Sequence, residues 1–448
     1  MNDHQRQSSM RCRLGPLWRH KIYGAGAATA ALLLATSTVG AGTAGASSAK
    51  VTLTYLTHNN EPPATTLDNA IIAKFEKQHP GVVVKQIEEM SGTTYTKFET
   101  MASAGDYPNV YDMYQGYAGS IIPTGVASPV DYKALGYTSQ SAFLRTYLPG
   151  SFGAYKYNGK AYGIPDEVSN YVAWVIPGDY KAAGVPVPST WAQVCADGPK
   201  MLKKVRGRVV QEELALPTTL PASQAIMFDA ISREYGSSDF NLAGTKSYLT
   251  SPPVIAAATM LQNLVYKCHA AVPSLNSSAE GADRIVYWDG HAAMDLTMGT
   301  WNSDSYKTYP KVRSQVAYPY PGTKPGETAN DLYGYAQIVP KRAPNQALSW
   351  QLAAALAGPG LSWLKEEGAF TGAKSVADSP TTNKVVPHWS TFWKPEYAKG
   401  VYVENLVKGP QIDQIIGSAL DSILLSDANV KSTLQSANAQ ILPLLNKS

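Results

Sequence analysis

Apolar and polar positions alternate along Val51-Thr52-Leu53-Thr54-Tyr55-Leu56, the period of a half-buried strand. Leu67, Ile71, Ile72 and Phe75 then recur at three and four residues, which predicts a helix closed by His79-Pro80-Gly81. Val82 to Ile87 reads as the next strand, so the opening is a β-α-β unit, right-handed by the usual rule and part of a parallel sheet. A helix through Tyr95, Phe98 and Met101 leads to a strand at Val110-Tyr111-Asp112-Met113. Much later, Ala292 to Met298 is a short apolar run suited to a buried strand. Gly299 permits a sharp turn after it. Trp301 falls just past the strand end, where open α/β sheets bind ligands.

The first 46 residues have a different pattern. Arg6, Arg11, Arg13, Arg19 and Lys21 precede an apolar core, Ala25 to Ala35, and Ala44-Gly45-Ala46 is a small-x-small cleavage site. This is the layout of a secretion signal, with a core shorter than the roughly 20 residues of a membrane span. The expected mature chain begins near Ser47, and Cys12 would leave with the signal. No cysteine stands at the end of the core for a lipid anchor. Five of the 38 Lys and Arg and one of the 34 Asp and Glu lie in the signal, which leaves 33 of each. A near-neutral chain without basic runs argues against nucleic acid or an anionic lipid surface as partner. About 400 residues exceed what one core usually supports, so two lobes are expected. Of the three cysteines, Cys195 and Cys268 remain, and outside the cytoplasm such a pair is more often bonded than free.

The stretch Gly290-His291-Ala292-Ala293-Met294 to Gly299-Thr300-Trp301 resembles a segment of the extracellular solute-binding proteins of ABC importers, family 1, the sugar-binding and maltose-binding-protein-like group. The opening strand, the helix with Phe75-Glu76-Lys77 and His79-Pro80-Gly81 resemble the same family. So do Gly159-Lys160-Ala161-Tyr162-Gly163-Ile164-Pro165, Ala183-Gly184-Val185 to Thr190-Trp191, and Gly334 to Pro340 with the Ala-rich helix Gln346 to Ala357. Gly368-Ala369-Phe370-Thr371-Gly372 follows in the same order. Trp174 to Asp179 and Lys374 to Ala377 depart from the pattern. The resemblance implies a two-lobed α/β periplasmic-binding-protein-like fold of type II, each lobe a mostly parallel sheet flanked by helices. The expected lobes are residues 47–173 with 292–338, and 174–291 with 339–448. It also implies an extracytoplasmic monomer that passes a small ligand, a saccharide, to ABC permease subunits, with no cofactor or metal.

Catalysis finds little support. Asp166-Glu167 and Glu212-Glu213 are adjacent carboxylates, and neighbours on a strand face opposite ways. Gly-x-Ser-x-Gly, His-Glu-x-x-His and phosphate-loop motifs do not occur. His58, His269, His291 and His388 read as surface or capping groups. Tyr is abundant, at 27, and the nine Trp outnumber the eight Phe. Such rings offer an apolar face and a polar edge, as a sugar requires. Trp301 and Trp174 are the stacking candidates, with Trp288-Asp289 and Tyr333, placed in a turn, beside them. Asn59, Glu61, Gln115, Asp166 and Asn170, near strand ends, are the candidate hydrogen-bonding groups. A polyol or glycerophosphodiester is the alternative ligand, and a secreted carbohydrate-active enzyme the alternative class.

Overall fold

Two mixed sheets organise the computed structural model, which describes residues 50–218, 220–273, 281–358, 360–402 and 406–447. The expected secretion signal, with Cys12 and Ser47, lies outside the described residues. In the first sheet, β1 (Val51–Thr57) pairs in parallel with β2 (Val82–Glu88) and with β3 (Val110–Tyr114). The helix between β1 and β2 is Ala64–Gln78, and it buries Ile71, Ile72 and Phe75 on the sheet. A short hairpin, β4 (Lys156–Tyr157) with β5 (Lys160–Ala161), precedes β6 (Ile164–Asn170). Tyr171 alone separates β6 from β7 (Val172–Val175), which belongs to the second sheet.

That second sheet contains β7, then β8 (Lys203–Val205), β9 (Arg208–Ala215), β10 (Ala292–Met298) and β11 (Val316–Tyr318), in the order β11-β7-β10-β9-β8. All seven residues of β10 are buried, the apolar five by packing and Asp295 and Thr297 with hydrogen bonds to each other and to Asp283. The chain returns to the first sheet as β12 (Asp331–Ile338), antiparallel to both β3 and β6, and β13 (Val401–Tyr402) pairs with its start. Helices Pro221–Glu234, Pro252–Tyr266 and Gly409–Ser426 cover the second sheet around Ile226, Leu261 and Leu420.

The expected lobe boundaries need correction. Residues 292–338 do not sit together: β10 lies between β7 and β9, and only β12 joins the first sheet. Nor does the helix Gln346–Ala357 return to the second sheet. Its Trp350, Leu352 and Leu356 share a core with Leu53 and Phe75 of the first. The apolar runs are alike in both places, and backbone pairing decides which sheet each strand joins.

Cys195, in the helix Trp191–Met201, is bonded to Cys268, just past the helix Pro252–Tyr266, with Cα atoms 4.8 Å apart. Thr190 opens the first of these helices with a capping box to Gln193. Among the described residues no helix is long and apolar enough to cross a membrane.

Gly334 sits inside β12 rather than in a turn, so Tyr333 is a strand residue too. A Cβ at Gly334 would lie 2.1 Å from the Glu167 carbonyl oxygen across the β6 pairing. Backbone cannot swing away as a side chain does. Gly334→Ala is therefore expected to cost about 2–3 kcal/mol, in the range of overpacked sites. Urea unfolding measures it, and a loss under 0.5 kcal/mol, the ordinary scatter of neutral surface changes, would refute the close approach.

Candidate functional site

The parallel strands of the first sheet end at one side, and the residues just past them converge on a cavity of about 350 Å³. His58 and Asn59 follow β1, Ser91 and Gly92 follow β2, and Tyr114 and Tyr117 close β3. β12 adds Tyr333 and Tyr335, and Tyr171 enters from the crossing between sheets. Opposite them stand Ser223 from the start of its helix, Arg284 from the helix Ala282–Trp288 and Trp301 after β10, and Trp363 and Glu367 of the helix Gly360–Glu367 complete the lining. Strand ends are the expected place for such a site, because the connecting loops there are free to diverge around a ligand.

The aromatic rings are held by their polar edges. His58 stacks on Tyr335 with centroids 3.8 Å apart and planes 16° apart, and the Tyr335 hydroxyl lies 2.5 Å from Ser91 Oγ. Tyr171 meets Tyr333 at 4.7 Å, and its hydroxyl reaches Ser223 Oγ at 2.8 Å. Trp301 donates its indole N–H to the Tyr333 hydroxyl, and the Arg284 guanidinium sits 5.3 Å from the Trp301 ring. Arg284 itself donates to the Thr297 carbonyl at 3.0 Å and to Ser223 Oγ at 3.2 Å. Gly299 is needed for space: a Cβ there would lie 1.9 Å from Ser169 Oγ, while its φ of −106° suits any residue.

A bulge in β6 sets the acidic side of the cavity. Glu167 pairs with Tyr335 and Pro165 with Ala336, so Asp166 is an extra residue with no partner on β12. Strand alternation fails at that step, and Asp166 and Glu167 both line the cavity. The expectation that neighbours face opposite ways is overturned there. Gln337 Nε2 donates to Asp166 Oδ2. Burial, then the nearby Asp112 carboxylate, holds Asp166 well above the usual carboxylate range. Burial and Asp112 also push Glu167 up to about 7, against the pull of His58, Tyr333 and Arg284. Asp68, which accepts from Asn59 Nδ2 at 3.0 Å, is pushed up to about 7, chiefly by burial. His58 Nδ1 lies 2.7 Å from Asp112 Oδ2. Burial opposes the charged imidazole, but Asp112 outweighs it and the His58 pKa is raised.

The sign of the pH dependence follows. In the unfolded chain these carboxyls release protons near pH 4 to 4.5, whereas Glu167 and Asp68 hold theirs to about 7 when folded. The folded state binds more protons between those limits, so their contribution to stability falls as pH rises through that window. The raised pKa of His58 acts alike, its contribution being complete below about pH 6.5 and lost above. The melting temperature of the ligand-free protein is expected to drop from pH 5 to pH 8. A profile rising over that interval would contradict this assignment.

Of the ten residues expected from sequence, four meet at the cavity: Asn59, Asp166, Trp301 and Tyr333. The other six lie elsewhere. Trp174 is buried in the second sheet against Trp393, its N–H on the Gly299 carbonyl. Gln115 is spent on the Leu332 carbonyl, and Asn170 is buried at the end of β6. Trp288 stacks on Tyr309, donates to Asn302, and touches Trp301 edge to face from behind. Asp289 and Glu61 are exposed. Sequence reasoning missed His58, which it placed at the surface, with Glu167, Tyr171, Arg284 and Tyr335. Position beside Asn59 marked His58, but nothing local marked Arg284. Among the described residues no cluster of His, Cys, Asp and Glu is arranged for a metal.

Residues 59–361 match the family model of the bacterial extracellular solute-binding proteins. The chain belongs to that family. This solute-binding protein is 23% identical over 250 residues to Escherichia coli YcjN, a protein named as a putative ABC transporter periplasmic-binding protein. The match covers 55% of each, so the chain spans about half the length of that curated relative. Among solved structures, the ABC substrate-binding protein Lmo0181 from Listeria monocytogenes, in complex with cycloalternan, is similar with a TM-score of 0.75 and 19% identity. It covers 88% of this chain and 98% of that one. UgpB from Mycobacterium tuberculosis, in complex with glycerophosphocholine, gives 0.73 and 18%, again over 88% and 98%. The solute-binding protein thus has the two-lobed α/β fold of these structures.

Proposed function

We propose that this solute-binding protein captures a sugar or oligosaccharide outside the membrane and hands it to an ABC permease. One observation carries the reading: a cavity of about 350 Å³ at the strand ends, walled by Tyr and Trp rings whose edges are polar. That volume is within the range of small-ligand sites. Rings cover the apolar C–H face of a sugar, while Asn59, Glu167 and Ser223 pair with its rim of hydroxyls. The first lobe is built on residues 50–170 with 331–358, and the second on 172–218, 220–273 and 281–318 with 406–447, while residues 360–402 pack on both, through Trp393 on Trp174 and Tyr397 on Ser151. Tyr171 lies on the crossing and serves as a hinge residue. The lobes close on the ligand because the closed form makes better contacts with it.

No bond is broken in this reading, and the protein is exported, monomeric and free of cofactor. A phosphodiester ligand is less well served, because among the described residues Arg284 is the only Lys or Arg on the cavity wall, and its Nε and Nη2 already donate to Thr297 and Ser223.

A thermal-shift screen over a saccharide library tests the proposal. A ligand at a hundred times its dissociation constant adds about 2.7 kcal/mol, enough to identify it. Stabilisation by phosphodiesters or polyols alone would overturn the sugar assignment. Sustained release of a cleaved product would overturn the transport reading.

A further inference from the structure

The cavity wall contains more acid than base. Asp166, Glu167 and Glu367 line it, with Asp68 and Asp112 close behind. Its two basic groups are already engaged. His58 is paired with Asp112, and Arg284 is held by Thr297 and Ser223 beside Asp283 and Asp295. Glu167 is the β6 acid beside the bulge. The bulge turns it into the cavity, and its Oε1 is buried without a hydrogen-bond partner among the described residues. A buried acceptor in that state calls for a donor. Tyr333 and Tyr335 stand on the strand paired with Glu167, and Trp301 lines the same cavity.

We infer that the ligand is a saccharide carrying a protonated amine, and that Glu167 is the residue that reads the charge. This rests on the sugar-binding reading and narrows it. A neutral hydroxyl could also donate to Oε1, but its bond would lack the charge that an ammonium donor brings. An ammonium group makes the charge-assisted bond and favours the ionised form of Glu167, whose proton burial otherwise retains to about pH 7.

Calorimetric titration of the whole protein at pH 6.5 with paired saccharides tests this. Each pair matches a neutral sugar with its amino counterpart, for example N,N′-diacetylchitobiose with the free diamine. The expected result is a preference of at least about tenfold for the amine, the scale of a charge-assisted over a neutral hydrogen bond. In Glu167→Gln that preference collapses toward unity, and in Glu167→Asp, which keeps the charge, much of it returns. Neutral members binding as well or better would overturn the inference and leave the sugar reading intact. Binding by neither member of any pair would overturn both. A preference that survives Glu167→Gln would remove Glu167 from the role.

Discussion

Replacing Trp301 by alanine is expected to leave a folded protein whose affinity for its ligand is about a hundredfold weaker. Trp301 lies on a segment fixed from outside itself. Gly299 fits against Ser169, and Gly368 would place a Cβ 2.8 Å from the Trp301 Cα, so the main chain is braced on both sides. The ring is only partly buried in the cores it touches, so its removal opens the cavity wall more than it empties a core. Stacking half of a ring of about 200 Å² against an apolar ligand face contributes about 2.5 kcal/mol at 25 cal/mol per Å². That is close to the 2.7 kcal/mol of a hundredfold change. Three losses would follow together: the stacked face, the hydrogen bond to Tyr333, and the ring beneath Arg284. Calorimetry with the ligand from the saccharide screen measures the change. An affinity within threefold of the unaltered protein would remove Trp301 from the site.

The Cys195–Cys268 bond is expected to provide the largest single increment of stability. It joins residues 73 apart, and closing a loop of that length is worth about 4 kcal/mol in the chain-entropy model. The bond also maintains a tight contact. A Cβ at Gly198 would meet the Cys268 carbonyl at 2.6 Å and the Ala270 Cα at 2.7 Å, so the two segments touch through backbone. Both cysteines contribute to the second-sheet core, and neither lines the strand-end cavity. The double substitution Cys195→Ser with Cys268→Ser should therefore lower the urea midpoint strongly while ligand affinity changes little. A loss below 1 kcal/mol would show that the unfolded chain gains nothing from the opened loop.

Local signals in the sequence were strong where one segment carried the information. The helix Ala64–Gln78 and strands β1 to β3 follow the apolar spacing within a residue or two. β10 runs over Ala292–Met298, the bounds of its apolar run, and Thr190 caps its helix. Trp301 and Asn59 were visible because a residue just past a strand end is positioned by the strand. Trp174 and Trp288 carry the same chemistry as Trp301, and composition cannot separate them. What separates them is the neighbour: Trp393 covers one and Tyr309 the other, while Trp301 leaves part of its ring to the cavity.

Sequence alone thus determined the elements, the family resemblance and the supply of rings and amides, because hydrophobic period and turn chemistry act over a few residues. Tertiary structure alone decided which sheet β10 and the helix Gln346–Ala357 join, since pairing partners lie far along the chain. It also decided the acidic wall. Alternation places Asp166 and Glu167 on opposite faces, and one unpaired residue against β12 brings both to the cavity wall. That shift of register exists only between two strands, so neither strand encodes it by itself.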